Sequence, residues 1–568
     1  MQDEPGSRTF FVDQRHPQAG DDNPGTEGRP FRTIQRAADV ARYRGEDWPG
    51  DKIIVKAGVY REMVTLRYGG DEDCSIDISA APGEEVWVKG SDVVKDWIRD
   101  AGAVWRKMKW TYPSQQVFCD GAVLRQVADF SKKYMIWIAS FDAPDVQPCA
   151  GRTSFANQHL CRGISGGRQD MVPGSFFYDI ESNVLYVWLE DGSNPNDHMM
   201  EVSVRPHIFK GEGPQATGIR IAGFKMSHTS ASLHGFSIKG GMNGAIETGP
   251  DKWIIEDCDV QWTGWAGLLV VGHNHLIRNN VFSCNGNSGI NIGTPYGPGP
   301  IPVGTVIAPV EDVLLEGNVT SDNNYRCFSP GWCCGGMKVI PFCKRIRVIA
   351  QTAERNRGPG IWFDTDCSDV EIAHCVARDN DGHGIFYEIS YRGRIWNNIV
   401  LRNSGGLGIE GSQGCRVYNN LSVGNDYGLL LLRDQYPKWQ VRDNVVRNNI
   451  FADNIEFDVV AIAPSRRCAR NNLDFNLYYR RSGPPRFEIQ KEAVFTDLAA
   501  WRERTGWDKH SMVADPRWAA PERDDYHLVA GSPAIDAGVS LESVYIDFDG
   551  RSRPMGAGTD IGPFEYEP

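Results

Sequence analysis

Three short segments of the sequence place a carboxylate at the same point of one repeated pattern. They are GIWFD at 360–364, GIFYE at 384–388 and GLGIE at 406–410. The three terminal acids are separated by 24 and 22 residues, which is typical of one turn of a large coil. If the segments are strands stacked in register, the acids line one outer face. Paired carboxylates are suited to acid–base and nucleophilic chemistry, so this stack is the first candidate site.

Side chains of a strand alternate between its two faces. The inward residues are Ile361, Phe363, Ile385, Tyr387, Leu407 and Ile409, and the outward set is Trp362, Asp364, Asp366, Phe386, Glu388 and Glu410. Adjacent strands lie about 4.7–4.9 Å apart, so Asp364 and Glu388 should be neighbours. Like charges at that spacing repel, and we expect one acid of the pair to have a raised pKa. The outward rings of Trp362 and Phe386 are predicted to form a platform for a sugar.

The predicted separation of the acids also indicates a mechanism. Retaining glycosidases hold their two carboxyl groups roughly 5–5.5 Å apart and inverting ones about 6.5–9.5 Å apart. Neighbouring coils match the first range, which favours retention by Asp364 and Glu388 and gives Glu410 a secondary, substrate-binding place. Two other interpretations stay open from the pattern alone. Stacked carboxylates are also suited to Ca²⁺, and outward acids are common on solvated surfaces.

The composition excludes several classes of protein. The chain has 568 residues and a net charge of -13, and no basic stripe suggests a nucleic-acid partner. No apolar run approaches the roughly 20 residues that span a bilayer, so no membrane partner is expected. The 14 cysteines show no CxxC…CxxC spacing, and no metal ligand or cofactor is predicted, apart from the calcium alternative. The abundant aromatic residues are compatible with a carbohydrate substrate.

A repeat of roughly 22–25 residues runs from about 216 to 460. This period predicts an all-β, right-handed parallel β-helix of the pectate-lyase-like kind. A leucine-rich horseshoe has a similar period, but its LxxLxLxxN signature is not present. The asparagine pairs of successive repeats fall in one column and predict a structural ladder of stacked amides; they are 279–280, 397–398, 419–420 and 448–449.

The pattern changes elsewhere in the chain and predicts four regions. Residues 1–109 form an N-terminal cap and the first coils, with a helix over 34–42 that Thr33 caps. Residues 110–205 lack the coil period and read as hairpins of an inserted β-sandwich, with an irregular loop at 131–175. The main β-helix with the active site covers 206–480. The last region, 481–568, holds a helix from Thr496 and forms the C-terminal cap.

The paired motif resembles a known family. GIWFDTD followed by GIFYEIS resembles the motif of glycoside hydrolase family 120 β-xylosidases, in which WLD and FVE segments one coil apart carry the nucleophile and the acid/base. The blocks GTEGRPFRTIQRAADVA and FFYDIESNVLYVWL also resemble the related family 141. The resemblance implies a right-handed β-helix interrupted by a β-sandwich, with Asp364 as nucleophile and Glu388 as general acid/base. A bulky residue close after the nucleophile is replaced here by Thr365 and Asp366, so Asp366 could orient substrate, bind a metal or be the true partner.

The sequence therefore predicts a retaining glycoside hydrolase that cleaves a plant-type glycoside, xyloside-like or fucoside-like, by double displacement. A polysaccharide lyase or uronate epimerase on the same scaffold is the first alternative. It would need a basic residue: Lys338 in GGMKVIP falls in the outward Trp362 column one coil or so earlier, and Arg392 or Arg394 lies just past Glu388. A non-catalytic glycan-binding β-helix is the second alternative. His383, directly before GIFYE, and Trp332, in a glycine-rich loop, are further substrate-binding candidates.

The opening residues MQDEPGSRTF lack the charged and apolar pattern of a leader. Two expectations about the compartment therefore stay open. The protein is cytoplasmic, or it is secreted or periplasmic with its leader removed. The sequence makes no prediction of the oligomeric state.

Overall fold

A computed structural model describes residues 7–41, 48, 50–70, 75–128, 163–231, 243–293, 308–327, 334–432, 438–463 and 468–567. The chain folds into two compact units. Unit one comprises 1–313 and 318–334, and unit two comprises 314–317 and 335–568. In both units short parallel strands follow one another around a coil, and each coil contributes a strand to three sheets in turn. We number these sheets one, two and three in the order in which a coil visits them.

Unit one holds the first coils. Its sheet one contains Arg8–Val12, Asp51–Val55, Ile76–Ala80, Thr217–Ala222, Asp251–Glu256 and Leu276–Arg278. Its sheet two contains Gly58–Tyr60, Val86–Lys89, Lys225–Ser227, Asp259–Gln261, Val281–Ser283 and Val319–Ser321. Its sheet three contains Val64–Leu66, Phe209–Gly211, Gly244–Glu247, Ala266–Val270 and Ser288–Ile292. The jump from Val86–Lys89 to Lys225–Ser227 in sheet two shows where other structure interrupts the coil.

Two further sheets of mainly antiparallel pairing lie within that interruption. One contains Ala122–Val123, Val117–Cys119, Met200–Ser203 and Ser91–Val93. The other contains Ile164–Ser165, Arg125–Ala128, Ser175–Asp179, Val184–Trp188, Val104–Lys107 and Ile98–Ala101. One buried apolar cluster draws residues from both sheets, among them Val117, Phe176, Leu185 and Val202. The predicted boundaries of the insertion, 110 and 205, stay a prediction, and the strands of these sheets begin at Ser91.

Unit two holds the later coils and all the acids of the candidate stack. Its sheet one contains Leu314–Glu316, Arg347–Ile349, Glu371–Ala373, Arg394–Trp396, Arg416–Tyr418, Val445–Arg447 and Asn472–Asp474. Its sheet two contains Thr352–Glu354, Val376–Arg378, Ile399–Leu401, Leu421–Val423, Ile450–Ala452, Leu477–Tyr479 and Met512–Val513. Its sheet three contains Gly335–Val339, Ile361–Phe363, His383–Glu388, Gly405–Glu410, Tyr427–Leu431, Phe457–Ala461, Phe487–Ile489 and Ala493–Phe495.

A few elements lie outside the three-sheet pattern. The strand pairs are Val441–Arg442 with Cys468–Ala469 and Trp518–Ala520 with Asp525–Leu528. The 3₁₀ turns are Arg168–Asp170, Pro195–Asp197 and Pro521–Arg523. No helix of the described residues has both the length and the apolar character that a bilayer crossing requires.

Stacked asparagines hold the corner between sheets one and two, as the sequence predicts. The side-chain amide of Asn398 donates to Asn420 Oδ1 at 2.9 Å, and Asn420 donates to Asn449 Oδ1 at 2.9 Å. Each residue before these, such as Asn397 with φ 51°, adopts the left-handed conformation that asparagine tolerates. The amides are buried, and each net hydrogen bond contributes about 0.5–1.5 kcal/mol. The ladder is therefore structural and fixes the register of the coils.

Both predicted helices are present. The first covers Ile34–Val40; the Thr33 side chain accepts from the Arg36 amide, and Ile34, Ala37 and Ala38 are buried. The second covers Leu498–Thr505, so it starts two residues after the predicted Thr496, and the side chain of its N-cap, Asp497, accepts from the Ala500 amide. It ends at Gly506, whose φ of 75° is a left-handed conformation that glycine adopts without a steric penalty.

Candidate active site

Sheet three of unit two aligns the candidate acids as the alternation predicts. Trp362 pairs with Phe386, and Phe363 pairs with Tyr387, so the next residues, Asp364 and Glu388, follow in the same register. Glu388 in turn pairs with Glu410. The predicted inward residues Ile361, Phe363, Ile385, Tyr387, Leu407 and Ile409 are all fully buried. The apolar core on one face of the sheet therefore presents the acids on the other face.

Asp364 is held by a cation and a hydroxyl. Lys338 Nζ lies 2.6 Å from Asp364 Oδ2, and Thr365 Oγ1 donates to Asp364 Oδ1 at 2.8 Å. The Lys338 side chain is only 1% exposed and that of Asp364 13% exposed, so solvent screens this ion pair weakly. Each carboxylate oxygen can accept about two hydrogen bonds, which leaves lone pairs of Asp364 available for attack.

Glu388 retains its proton at neutral pH. Burial and then the negative charge of Asp364 raise its pKa from 4.5 to about 8, against smaller opposing effects of Lys338 and of a hydrogen bond. The bond comes from Trp362 Nε1, which donates to Glu388 Oε2 at 3.0 Å. The expectation that one acid of the pair has a raised pKa is confirmed. The site thus combines an acid that keeps its proton with a carboxylate that is paired with a cation.

The outward aromatic column is packed inside the site. Trp362 is only 3% exposed: Lys338 Nζ lies 2.8 Å from its ring centroid, and Phe386 stacks on it at 5.4 Å. Both ring faces are therefore covered, which differs from the open sugar platform that the alternation predicts. Lys338 caps the column because it occupies the same register position one coil earlier. Trp362 contributes to the site through its indole N–H.

Asp366 has hydrogen-bond partners of its own. The strand ends at Phe363, and Thr365 and Asp366 have φ of 50° and 58°, so strand alternation no longer applies there. Three donors contact the Asp366 carboxylate: Tyr391 Oη at 2.9 Å, Lys438 Nζ at 3.0 Å and Trp439 Nε1 at 3.1 Å. Burial acts to raise the pKa of Asp366, but these hydrogen bonds outweigh it and lower the pKa. The carboxylate ties the segment at 438–439 to the coil beside Asp364.

His383 and Glu410 extend the site along the stack. His383 Nε2 lies 3.8 Å from Glu410 Oε1, and its ring packs on Phe386 at 4.3 Å. Burial lowers the pKa of His383 to about 4, so the imidazole is neutral at physiological pH. A Cβ at Gly405 would lie 2.1 Å from His383 Nδ1, so glycine is required to make room for the ring. Nδ1 is buried and has no hydrogen-bond partner among the described residues.

One predicted site residue lies outside the described part of the chain, and three residues of the site were not predicted to belong to it. Trp332 and most of the 131–175 loop lie outside the described residues. Lys438 and Trp439 are new to the site, because they come from an irregular stretch between repeats that carries no period. Thr365 was identified only as a departure from the family motif, and the structure gives it a contact with Asp364.

Comparisons with known proteins agree on the architecture. Residues 222–422 match the family model described as a right-handed beta helix region. The fold is a right-handed parallel β-helix. Among solved structures, the chain is similar to XylC in complex with xylose, with 17% identity, a TM-score of 0.66 and 98% of each chain covered. It is also similar to a protein described as a glycoside hydrolase, with 13% identity, a TM-score of 0.52 and 88% of this chain and 99% of that chain covered. No curated protein matches the chain.

At these identities the similarity to solved structures concerns the fold. The sequence motifs resemble those of β-helix glycoside hydrolases. The fold of two solved structures also matches nearly the whole chain. The chemistry has to be argued from the residues of sheet three.

Proposed function

We propose that this protein is a retaining glycoside hydrolase that acts on xyloside-like or fucoside-like glycosides. Asp364 is the nucleophile and Glu388 the general acid/base. The observation that carries the proposal is the placement of two acids in adjacent register of sheet three, Asp364 paired with Lys338 and Glu388 bonded to Trp362, with the pKa of Glu388 raised to about 8. An acid that keeps its proton beside a carboxylate that a lysine holds in place is what a double displacement requires.

The first step breaks the glycosidic bond. An oxygen of Asp364 attacks the anomeric carbon while Glu388 gives its proton to the leaving oxygen, so the aglycone departs as an alcohol. The sugar is then joined to Asp364 through an ester. Residues in adjacent register, at strand spacing of about 4.7–4.9 Å, match the roughly 5–5.5 Å between carboxyls of retaining enzymes.

The second step releases the sugar, and the same electrostatics assist it. The ester carries no charge, so the repulsion by which Asp364 raises the pKa of Glu388 disappears in the intermediate. Glu388, now an anion, accepts a proton from water, and the oxygen of that water attacks the anomeric carbon. The bond to Asp364 breaks, and the active site returns to its initial charge state. The sugar keeps its anomeric configuration.

A lyase or epimerase fits the site less well. Such an enzyme needs a base beside the substrate. Arg392 and Arg394 form ion pairs with Asp369 and Glu371, which leaves Lys338 as the candidate to consider. Its ammonium is buried between the Asp364 carboxylate and the Trp362 ring, and an ammonium in this ion pair has no lone pair to accept a proton. We therefore assign Lys338 to positioning Asp364.

The substrate class is tested by a screen of nitrophenyl xylosides, fucosides and arabinosides. XylC in complex with xylose is the reason to begin with the xylosides. Hydrolysis of at least one glycoside with retention supports the proposal. Proton NMR identifies the anomer that forms first. An inverted product, or unsaturated uronate products without glycoside turnover, would refute it, and binding without any turnover would favour the glycan-binding alternative.

The rate should depend on pH through Glu388. Because the acid form protonates the leaving oxygen, kcat/KM is expected to fall by about tenfold per unit above a pKa of about 8. A nitrophenyl glycoside with a poorer leaving group should show this decline more strongly, since it needs the proton more. A profile that stays level to pH 10 would contradict the role of Glu388.

Replacing Lys338 by methionine should move that decline to higher pH. Lys338 lowers the pKa of Glu388, so its removal raises this pKa while Asp364 loses its counter-charge. Breaking a buried ion pair from one side destabilises by about 3–5 kcal/mol, so the Lys338→Arg variant is measured beside it as the charge-conserving control. A merely structural lysine would change the melting temperature and leave the midpoint of the pH profile in place.

A further inference from the structure

Cys119, Asp120 and His198 bring three kinds of metal-binding atom together in unit one, far along the chain from the acids of sheet three. The Cys119 thiol, a carboxylate oxygen of Asp120 and a ring nitrogen of His198 all lie within 4.8 Å of one another. Cys119 ends one strand, and its partner in the antiparallel sheet is Met200, so the turn before Met200 carries His198 to the same edge. Among the described residues this is the one such group of three.

Hydrogen bonds fix which atoms face each other in this cluster. Asp120 Oδ1 accepts from the Met199 amide at 2.8 Å, so Oδ2 points to His198 Nδ1, which lies 2.7 Å away. On the other side of the ring, Ser193 Oγ lies 2.8 Å from His198 Nε2. The Ser193 hydroxyl donates to Asp191 Oδ1 at 2.6 Å.

These bonds determine the tautomer of His198. The single hydroxyl proton of Ser193 is used on Asp191, because a carboxylate oxygen can only accept. Ser193 Oγ therefore accepts from His198, and Nε2 carries the hydrogen. His198 Nδ1 is then the ring nitrogen that faces Asp120 Oδ2, 2.7 Å away.

Cys119 supplies the third donor of this group. We propose that Cys119 Sγ, Asp120 Oδ2 and His198 Nδ1 bind one Zn²⁺ ion, with a water molecule as the fourth ligand. Zinc binds thiolate, imidazole and carboxylate together in tetrahedral sites, whereas Ca²⁺ and Mg²⁺ prefer oxygen alone. On binding, the Cys119 thiol loses its proton to solvent and becomes the thiolate ligand.

The surroundings of the cluster fit this role. Ligating histidines donate their other ring N–H to a second polar group, and here Ser193, itself bonded to Asp191, accepts it. The Asp120 side chain is 56% exposed, so an ion can reach the site from solvent. The ion would join the end of the strand Val117–Cys119 to the turn at 191–198 and so stabilise this pair of sheets.

Zinc binding is measured on the full-length protein after chelator treatment. We expect one equivalent of Zn²⁺ to bind with sub-micromolar affinity in competition with a chromogenic chelator, and to raise the melting temperature. The Cys119→Ser and His198→Ala variants should lose more than about 100-fold in affinity. Ser193→Ala, which removes only the outer partner, should lose about 10–100-fold. Co²⁺ in place of Zn²⁺ should give wild type a thiolate charge-transfer band, which identifies Cys119 as a ligand without any substitution.

His510→Ala is the matched control. His510 pairs with the Asp474 carboxylate at 2.8 Å, as His198 does with Asp120, but belongs to no group of three donors among the described residues. Its substitution should leave zinc affinity unchanged. The proposal fails if wild type binds no zinc at sub-micromolar concentration, if Co²⁺ gives no thiolate band, or if Cys119→Ser and His198→Ala bind as wild type does. None of these readouts depends on glycosidase activity.

Discussion

Replacing Asp364 by alanine is expected to lower kcat for glycoside hydrolysis by about 10⁴-fold or more, in the range seen when a nucleophile is removed. The variant lacks the oxygen that forms the ester, so the first step has no acceptor for the sugar. It also removes the carboxylate that lies 2.6 Å from the buried Lys338 Nζ. The measurement is single-turnover and steady-state hydrolysis of the best nitrophenyl glycoside from the substrate screen.

Azide distinguishes lost chemistry from lost folding in this variant. A small anion that occupies the space of the missing carboxylate should restore turnover and give the glycosyl azide of inverted configuration, since it attacks once. Asp369→Ala is the matched control, because Asp369 lies five residues on and forms an exposed ion pair with Arg392. Pairs of that kind contribute about 0–1 kcal/mol, so wild-type activity is expected. Full activity in Asp364→Ala would remove Asp364 from the mechanism.

Replacing Glu388 by alanine should slow hydrolysis according to the leaving group. With a poor leaving group kcat/KM is expected to fall by about 10²–10⁴-fold, because the departing oxygen receives no proton. With a good leaving group such as dinitrophenolate the first step needs no acid, so kcat/KM should change little while the ester accumulates. Azide should then speed turnover and give a product of retained configuration.

The alkaline decline of the rate offers a second test of the same variant. It should vanish in Glu388→Ala, since the group whose pKa lies near 8 is gone. Glu492→Ala, in which an exposed acid paired with Arg504 is removed, should keep both the rate and the decline. A Glu388→Ala variant equally slow with every leaving group would indicate a structural role for Glu388.

The architecture could be predicted from the sequence because the features that determine it are periodic. Apolar residues at alternate positions of each coil, such as Ile385 and Tyr387, bury one face of every strand, and this repeats once per turn. The asparagine column is equally regular, since each amide bonds to the one in the next coil. Helix ends were found from local chemistry, as at Thr33. All these signals depend on near neighbours or on a fixed period.

The candidate site could be predicted only in part, because only some of its contacts follow the period of the coils. Register brings Asp364 beside Glu388, and Lys338 over Trp362, because these residues share columns. Alternation stops where the strand stops, at Phe363, so it does not describe the position of Asp366. In the structure Asp366 bonds to Lys438 and Trp439, more than 70 residues away in an aperiodic segment. No local pattern encodes such a contact.

Burial was the other quantity that the sequence could not supply. Outward residues were expected to be open, but Trp362 is covered by Lys338 and Phe386. The same burial is the largest cause of the raised pKa of Glu388. The Cys119 and His198 cluster shows the limit again, because 79 residues separate donors that only an antiparallel pairing brings together.

The most direct test of Asp364 as the nucleophile is to trap the sugar on it. Wild type is treated with 2-deoxy-2-fluoro xyloside and fucoside bearing a dinitrophenyl leaving group, then digested, and the labelled peptide is sequenced by mass spectrometry. We expect one sugar per chain, attached to Asp364, and no label in Asp364→Ala. A label on Asp366 or on any other residue, or an unlabelled enzyme that nevertheless hydrolyses the matching nitrophenyl glycoside, would contradict the assignment of Asp364 and Glu388.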